Sequence, residues 1–211
     1  MRRVLLTRHG ETPWNREGRI QGWAATGLTD RGRREASAMG AWVADAYDVD
    51  RVLASDSERT RQTTAHLRDA AAGDLPTPSF DAALRERGFG VYQGFLVEEL
   101  FERYPEHDPD DSVSSLSADP AHGESVAAFC DRVASAWDAV QTATDPGETT
   151  LVVTHGGVIK VLLADLTDRD RSATLTAHSH DNCAVTEISL DGDDATLVAE
   201  EQTDWRETVD W

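Results

Sequence analysis

Two short apolar runs end in the same unusual way. VLLTRHG (4–10) and LVVTHGG (151–157) each pass from aliphatic residues through a threonine to a histidine followed by glycine. Such runs, bounded by glycine, read as strands buried on both faces, the kind that forms a parallel sheet. Ending a buried strand in Arg8 and His9 costs free energy unless those groups meet a partner. In an open α/β sheet the carboxyl ends of the strands border the ligand crevice. The pattern therefore places His9 and His155 at the same crevice.

The intervening sequence alternates between strand and helix. LTDRGRREASAMGAWVADAY repeats Ala36, Met39, Val43, Ala44 and Tyr47 at helical spacing, with Thr29 as its N-cap. RVLASD (51–56) predicts a strand, and SERTRQTTAHLRDAAA a helix closed by Gly73 and Pro76. ESVAAFCDRVASAWDAVQTA lines Val126, Phe129, Val133, Trp137 and Val140 along one face. TTLVVTH (149–155) predicts a central strand and VIKVLLADL a buried helix, while AVTEISL and TLVAEE predict a hairpin around DGDD. Strands alternating with helices give an α/β fold, a three-layer α/β/α sandwich with a mainly parallel sheet. The 211 residues, 39% of them hydrophobic, suit a single domain over 1–211. Residues 88–122, rich in Gly, Pro, Asp and Ser, break the alternation and predict a small lid insertion.

Charge narrows the function classes. Asp and Glu number 39 against 20 Lys and Arg, a net charge of −19, and Lys160 is the single lysine. Such a chain is poorly suited to nucleic acid or an anionic membrane. Cys130 and Cys183 sit in apolar segments and predict buried free thiols, which suits a reducing cytoplasm. No window approaches the ~18 apolar residues of a membrane span, and the amino terminus lacks a signal-peptide core. A soluble cytoplasmic protein is expected.

Within this acidic chain, Arg8, His9 and His155 form a cationic group, and the strand end LASDSERTRQTTA adds Arg59. Local positive charge predicts an anionic ligand, and arginine forks fit phosphate. Glycine after each histidine lets backbone approach the ligand, and N–H groups at a helix start favour anions.

RHGETPWN, SDSERTRQT, LRERGFGVYQG and VVTHGGVI, in this order, resemble the histidine phosphatase superfamily, its phosphoglycerate mutase-like branch. The resemblance implies that His9 is the nucleophile that takes up the phosphoryl group. It makes Arg8, Arg59 and His155 the phosphate clamp, with Asn15, Gln21, Gly22 and Gly156 completing the substrate site. Glu86 falls at the position of the proton donor. No metal and no cofactor are implied. The chemistry fits these roles: a neutral imidazole can attack phosphorus, nearby arginines disfavour its protonation, and an acceptor on its other nitrogen would fix the tautomer. Other readings of single residues stand beside these. Glu86, flanked by Arg85 and Arg87, also fits a surface ion pair, and Asn15 also fits a loop cap. His178, His180 and Asp181 lie close together in HSHD without a second ligand cluster, so a loop at the site rim is preferred to a metal site. Trp14 and Trp23 are placed at the pocket mouth, Trp42 and Trp137 in packing, and DWRETVDW either folds back or frays. Three positions depart from the family pattern: Ala25 stands where aspartate is usual, Gly27 where proline is usual, and Ser57 where leucine is common, the last expected to alter local packing alone.

The expected activity is metal-independent hydrolysis of a small phosphorylated metabolite through a phosphohistidine on His9. A phosphoglycerate mutase would use the same residues but retain the phosphoryl group for transfer. A non-catalytic phospholigand-binding module is the other class, and such a module has no need of Glu86. The motifs address only the phosphate, so sugar phosphates, phosphoglycerates, nucleotides and a cobamide-precursor phosphate all fit, and oligomeric state has no signature. The acidity itself reads as adaptation to high salt. Screening shortens charge repulsion to ~3 Å at 1 M salt, so the melting temperature should rise as KCl goes from dilute to molar. A flat or falling melting temperature would leave the acidity without this explanation.

Overall fold

Both apolar runs form strands, and they lie side by side. In the computed structural model, which describes residues 1–73, 75–104, 119–177, 179–192 and 194–208, β1 (Arg2–Arg8) is followed by α1 (Pro13–Glu17) and α2 (Asp30–Ala46). Then come β2 (Arg51–Ser55), α3 (Glu58–Ala70), β3 (Ser79–Asp81), α4 (Val97–Arg103) and α5 (Val126–Ala143). The chain continues through β4 (Thr149–Thr154), α6 (Gly156–Leu166), α7 (Arg171–Ala177), β5 (Val185–Asp191) and β6 (Asp194–Gln202). The strands form one sheet in the order β3-β2-β4-β1-β5-β6. β3, β2, β4 and β1 run parallel, and the β5–β6 hairpin adds antiparallel to β1.

Alternate residues of each strand feed two cores, because successive side chains point to opposite faces. Val4, Leu6 and Val152 pack with α5, α6 and Leu175 of α7. Leu5, Leu151 and Val153 pack with Ala36, Met39 and Val43 of α2 and Leu67 of α3. This is the expected three-layer α/β/α arrangement, with a mixed sheet. Every residue of β4 is buried, and two of its three threonine hydroxyls have partners: Thr150 Oγ1 with Thr144 Oγ1 at 2.9 Å, and Thr154 Oγ1 donating to Leu84 O at 2.8 Å. Thr29 caps α2 as its position predicts, its hydroxyl accepting from Gly32 N.

The short elements α1, α4, α7 and β3 escape the periodicity argument, since none exceeds two turns or three strand residues. Within 88–122, residues 105–118 lie outside the described residues. The described part builds a small third core, in which Phe89, Tyr92 and Leu100 pack with Ile20, and Phe95, Phe101 and Tyr104 lie against them. Trp42 and Trp137 pack against the two main cores, and Cys130 and Cys183 are buried free thiols. The C-terminal segment folds back: Trp205 is fully buried and its Nε1 donates to Cys183 O at 3.1 Å, while 209–211 lie outside the described residues. Among the described residues no helix is long and apolar enough to cross a membrane.

Candidate active site

The register of the sheet assembles the site. Arg8 of β1 lies opposite Thr154 of β4, and His9 N donates to Thr154 O at 3.0 Å, so the two chains leave the sheet at one level. His9 and His155 then stand beside each other, ring centroids 5.3 Å apart and inclined at 61°. Both are buried. β2, on the other side of β4, ends at Ser55 and delivers Arg59 in the first turn of α3. The segment after β1 is pressed against the start of α2, where a Cβ on Gly10 would come within 2.5 Å of Gly32 O. Only glycine fits there, which accounts for the glycine that follows His9.

A cavity of about 240 Å³ opens at these strand ends. Arg8, His9, Asn15, Gln21, Gly22, Arg59 and Glu86 line it, together with Arg19, Ile20, Phe89 and Val97. His155 adjoins it through His9, and Gly156 packs against the Arg8 guanidinium. Of these last lining residues, Phe89 lies within LRERGFGVYQG, while Arg19, Ile20 and Val97 have no strand-end or motif signal in the sequence.

His9 Nδ1 lies 2.9 Å from Gly10 O. A carbonyl only accepts, so Nδ1 carries the hydrogen and Nε2 keeps its lone pair. Burial pushes the imidazolium well below its ordinary pKa, and the Arg59 and Arg8 charges push the same way. Burial likewise lowers His155, with Arg59, His9 and Arg8 adding to it. Arg59 is pushed down to about 10 by burial, opposed by the Glu86 carboxylate, and remains a cation at neutral pH. Its Nη2 donates to Gly22 O at 2.8 Å, and Arg8 Nη1 donates to His180 O at 2.6 Å. Arg8 Nε, Arg59 Nε and His155 Nδ1 are buried without a protein partner. Buried donors without partners near His9 are groups that an oxyanion could satisfy.

Glu86 is held by backbone rather than by its arginine neighbours. Its Oε2 accepts from Gly157 N at 3.0 Å and its Oε1 from Arg87 N at 2.9 Å. Arg85 is paired with Asp56, and Arg87 Nε donates to Glu124 O. The helix-start N–H of Gly157 thus serves Glu86. The loop beneath Glu86 is fixed by Arg132 of α5, which donates to Ala83 O, Arg85 O and Glu86 O and pairs with Glu124 at 2.6 Å. Trp23, at the rim, donates its Nε1 to Glu86 O. Asn15 does cap its own loop: its Oδ1 accepts from Thr12 N and Thr12 Oγ1. Gln21 Oε1 accepts from Thr26 Oγ1 at 2.9 Å. In each amide the oxygen is engaged, which leaves the NH₂ end to serve an anion.

The HSHD segment supports the site from behind. His180 is buried with Nε2 3.0 Å from Thr186 Oγ1, Asp181 pairs with Arg206, and Asn182 Nδ2 donates to His9 O at 2.7 Å. His178 lies outside the described residues. Among the described residues no three His, Cys, Asp or Glu side chains converge on a metal site. Ser57 brings its Oγ within 3.2 Å of Ser55 Oγ, which in turn lies 2.9 Å from His155 Nε2. Residue 57 therefore does more than pack. Arg132, Asn182 and Ser55 act through contacts with distant segments, which sequence spacing does not reveal.

The profile of the histidine phosphatase superfamily (branch 1) matches residues 4–203. The chain belongs to that superfamily. A phosphoglycerate mutase-like protein 4 from Arabidopsis thaliana is 33% identical over 92% of this chain and 82% of its own length. Among solved structures, Bacillus stearothermophilus YhfR superposes with a TM-score of 0.83 at 29% identity, covering 96% of this chain and 98% of its own. The alpha-ribazole phosphatase from Shigella flexneri superposes with a TM-score of 0.78 at 27% identity, covering 95% and 96%. The superfamily thus includes relatives named for mutase and for phosphatase activity.

The two buried histidines also tie stability to pH. Their folded pKa values lie below the ordinary ~6.5, so the unfolded chain binds protons that the native chain does not. The stability they contribute is complete above about pH 6.5 and is lost as the pH falls, by at most ~1.4 kcal/mol per pH unit for each histidine. Urea unfolding between about pH 7 and 5 should show this decline, and His155→Gln should make it shallower. Equal slopes for wild type and variant would contradict the assignment.

Proposed function

We propose that the protein is a metal-independent phosphomonoester hydrolase that works through a phosphohistidine on His9 and acts on a small phosphorylated metabolite. The supporting observation is His9 itself: a buried imidazole whose Nδ1 is anchored on Gly10 O, near the buried Arg59 and the half-buried Arg8, each with an enclosed, unpartnered Nε. Nε2 attacks phosphorus, the N–P bond forms, and the bond to the leaving oxygen breaks. Arg8, Arg59 and His155 meet the equatorial oxygens and Asn15 and Gln21 add donors, so the protein itself supplies the charge neutralisation that phosphoryl transfer needs. Glu86, entering as the acid, gives its proton to the leaving oxygen. As carboxylate it then takes a proton from water, whose oxygen displaces His9 and releases inorganic phosphate. Residues 88–122 are read as a lid, since Phe89 and Val97 face the cavity.

The Arabidopsis relative's name keeps mutase chemistry as the second reading. Both reactions begin with phosphohistidine and part at the next acceptor, water or a substrate hydroxyl. Release of inorganic phosphate from monoesters without a bisphosphorylated primer favours the hydrolase, whereas primer-dependent isomerisation that outpaces it favours the mutase.

His9→Ala should reduce turnover to background with the fold intact, and quenching without acid should trap an acid-labile, base-stable phosphoryl group on His9 of the wild type. Arg8→Ala or Arg59→Ala should lose roughly 10²–10³ in rate. Label on a serine, or turnover surviving in the alanine variant, would defeat the mechanism. Glu86→Gln should slow alkyl phosphates far more than p-nitrophenyl phosphate, whose leaving group needs little protonation. Equal losses would remove Glu86 from the acid role, and undiminished activity in EDTA is expected throughout.

A further inference from the structure

His155 poses a question of tautomer. Its Nε2 lies 2.9 Å from Ser55 Oγ, and its Nδ1 is buried with no protein partner. Burial and three neighbouring positive or potentially positive groups, Arg59, His9 and Arg8, keep the ring neutral, so only one nitrogen carries hydrogen. If that nitrogen were Nε2, donating to Ser55, Nδ1 would be a bare lone pair close to Arg8 and Arg59, whose Nε atoms also lack partners and would suit an oxyanion. An anion meeting a lone pair is repelled. If it is Nδ1, the ring becomes a third donor.

The hydroxyls behind His155 decide between these forms. Ser55 has a single hydrogen to give. Ser57 offers two groups to the Ser55 oxygen, its Oγ at 3.2 Å and its backbone N–H at 3.4 Å. The N–H can only donate, so Ser55 Oγ is already an acceptor on that side. With the Ser57 hydroxyl donating to it as well, its own hydrogen is left for His155 Nε2. The turn is rigid, because Thr60 Oγ1 reaches both Ser55 O, at 2.6 Å, and Ser57 O, at 2.7 Å. Ser55 itself is fully buried, so bulk water does not compete for its hydrogen.

We propose that Ser57 and Ser55 form a directed hydroxyl relay that holds His155 as the Nδ1–H tautomer, so that a neutral imidazole presents a donor to the oxyanion bound at His9. Ser55 and Ser57 are positioning residues; neither touches the substrate. The relay gives a reason for serine at 57, where a leucine would leave Ser55 with the backbone N–H alone. The catalytic benefit rests on the phosphatase reading above, but the tautomer itself is a property of the free protein.

The test combines nitrogen NMR with kinetics. Protein labelled with ¹⁵N in its imidazoles, without ligand, is examined by long-range proton–nitrogen correlation, and the His155 signals are assigned by their loss in His155→Gln. Wild type should show His155 protonated on Nδ1. Ser55→Ala should convert it to the Nε2–H form or a mixture and lower kcat on p-nitrophenyl phosphate by ~10–100-fold. Ser57→Ala should move the tautomer part-way and cost about three- to tenfold, and Ser57→Thr, which keeps the hydroxyl, should recover most of that loss. If Ser55→Ala fails to fold, the Ser57 pair makes the same test. Wild-type His155 protonated on Nε2 would overturn the relay, as would an unchanged tautomer in the variants, even with a loss of rate. If wild type releases no phosphate from any monoester, the phosphatase reading falls, and the tautomer measurement still decides the relay.

Discussion

The in-register parallel pairing of β1 with β4 is the constraint on which the site depends. Arg8 faces Thr154, so His9 and His155 emerge one inter-strand spacing apart, near the ~4.8 Å that hydrogen-bonded strands impose. A one-residue slip would carry one histidine to the other face of the sheet and exchange the two core memberships of β1. The register is secured beyond the ladder. Gly10 is wedged against Gly32, Glu11 N donates to the buried Glu35 carboxylate, and Asn182 holds His9 O. These contacts come from two separate stretches of chain, α2 and the loop before β5. The geometry of the candidate site is thus a by-product of strand pairing, refined by contacts that clamp the strand end.

Electrostatics works against this arrangement before any ligand arrives. Arg59 is about 1% exposed, and Arg8 is half-buried, with its Nε fully enclosed. Burying a guanidinium with an unfilled donor costs stability. Glu86 is the nearby carboxylate that offsets both charges. A buried oxyanion would complete the missing contacts, so binding recovers what folding sacrificed. This is the usual relation between a preorganised site and the stability of its scaffold.

Much of this was legible in the sequence, for physical reasons that also mark its limits. The strand ends, the helices of α2, α3, α5 and α6, and the cationic set of Arg8, His9, Arg59 and His155 follow from hydrophobic period and from charge where burial makes it costly. Glu86 was reached through the resemblance, and its neighbours Arg85 and Arg87 pointed toward an ion pair that the structure gives to Asp56 instead. Arg132 could not be found, because it acts on carbonyls 46 to 49 residues away. The Ser55–Ser57 contact is local, yet its meaning depends on His155, 100 residues from Ser55. Short elements such as α1, fixed by the Thr12–Asn15 capping box, are set by side-chain hydrogen bonds and leave no periodic trace.

The position of β1 in the sheet also has a consequence for the order of synthesis. Its two neighbours are β4 and β5, which begin at residues 149 and 185, and Trp205 closes against Cys183, whose backbone N–H binds Arg8 O. β1 is therefore made before either of its neighbours and stays unpaired on both edges until β4 and β5 follow. At ordinary elongation rates it waits roughly 10–40 s for its partners, with an apolar run and His9 uncovered. A nascent chain thus holds His9 long before the strand that sets His155 beside it has been made.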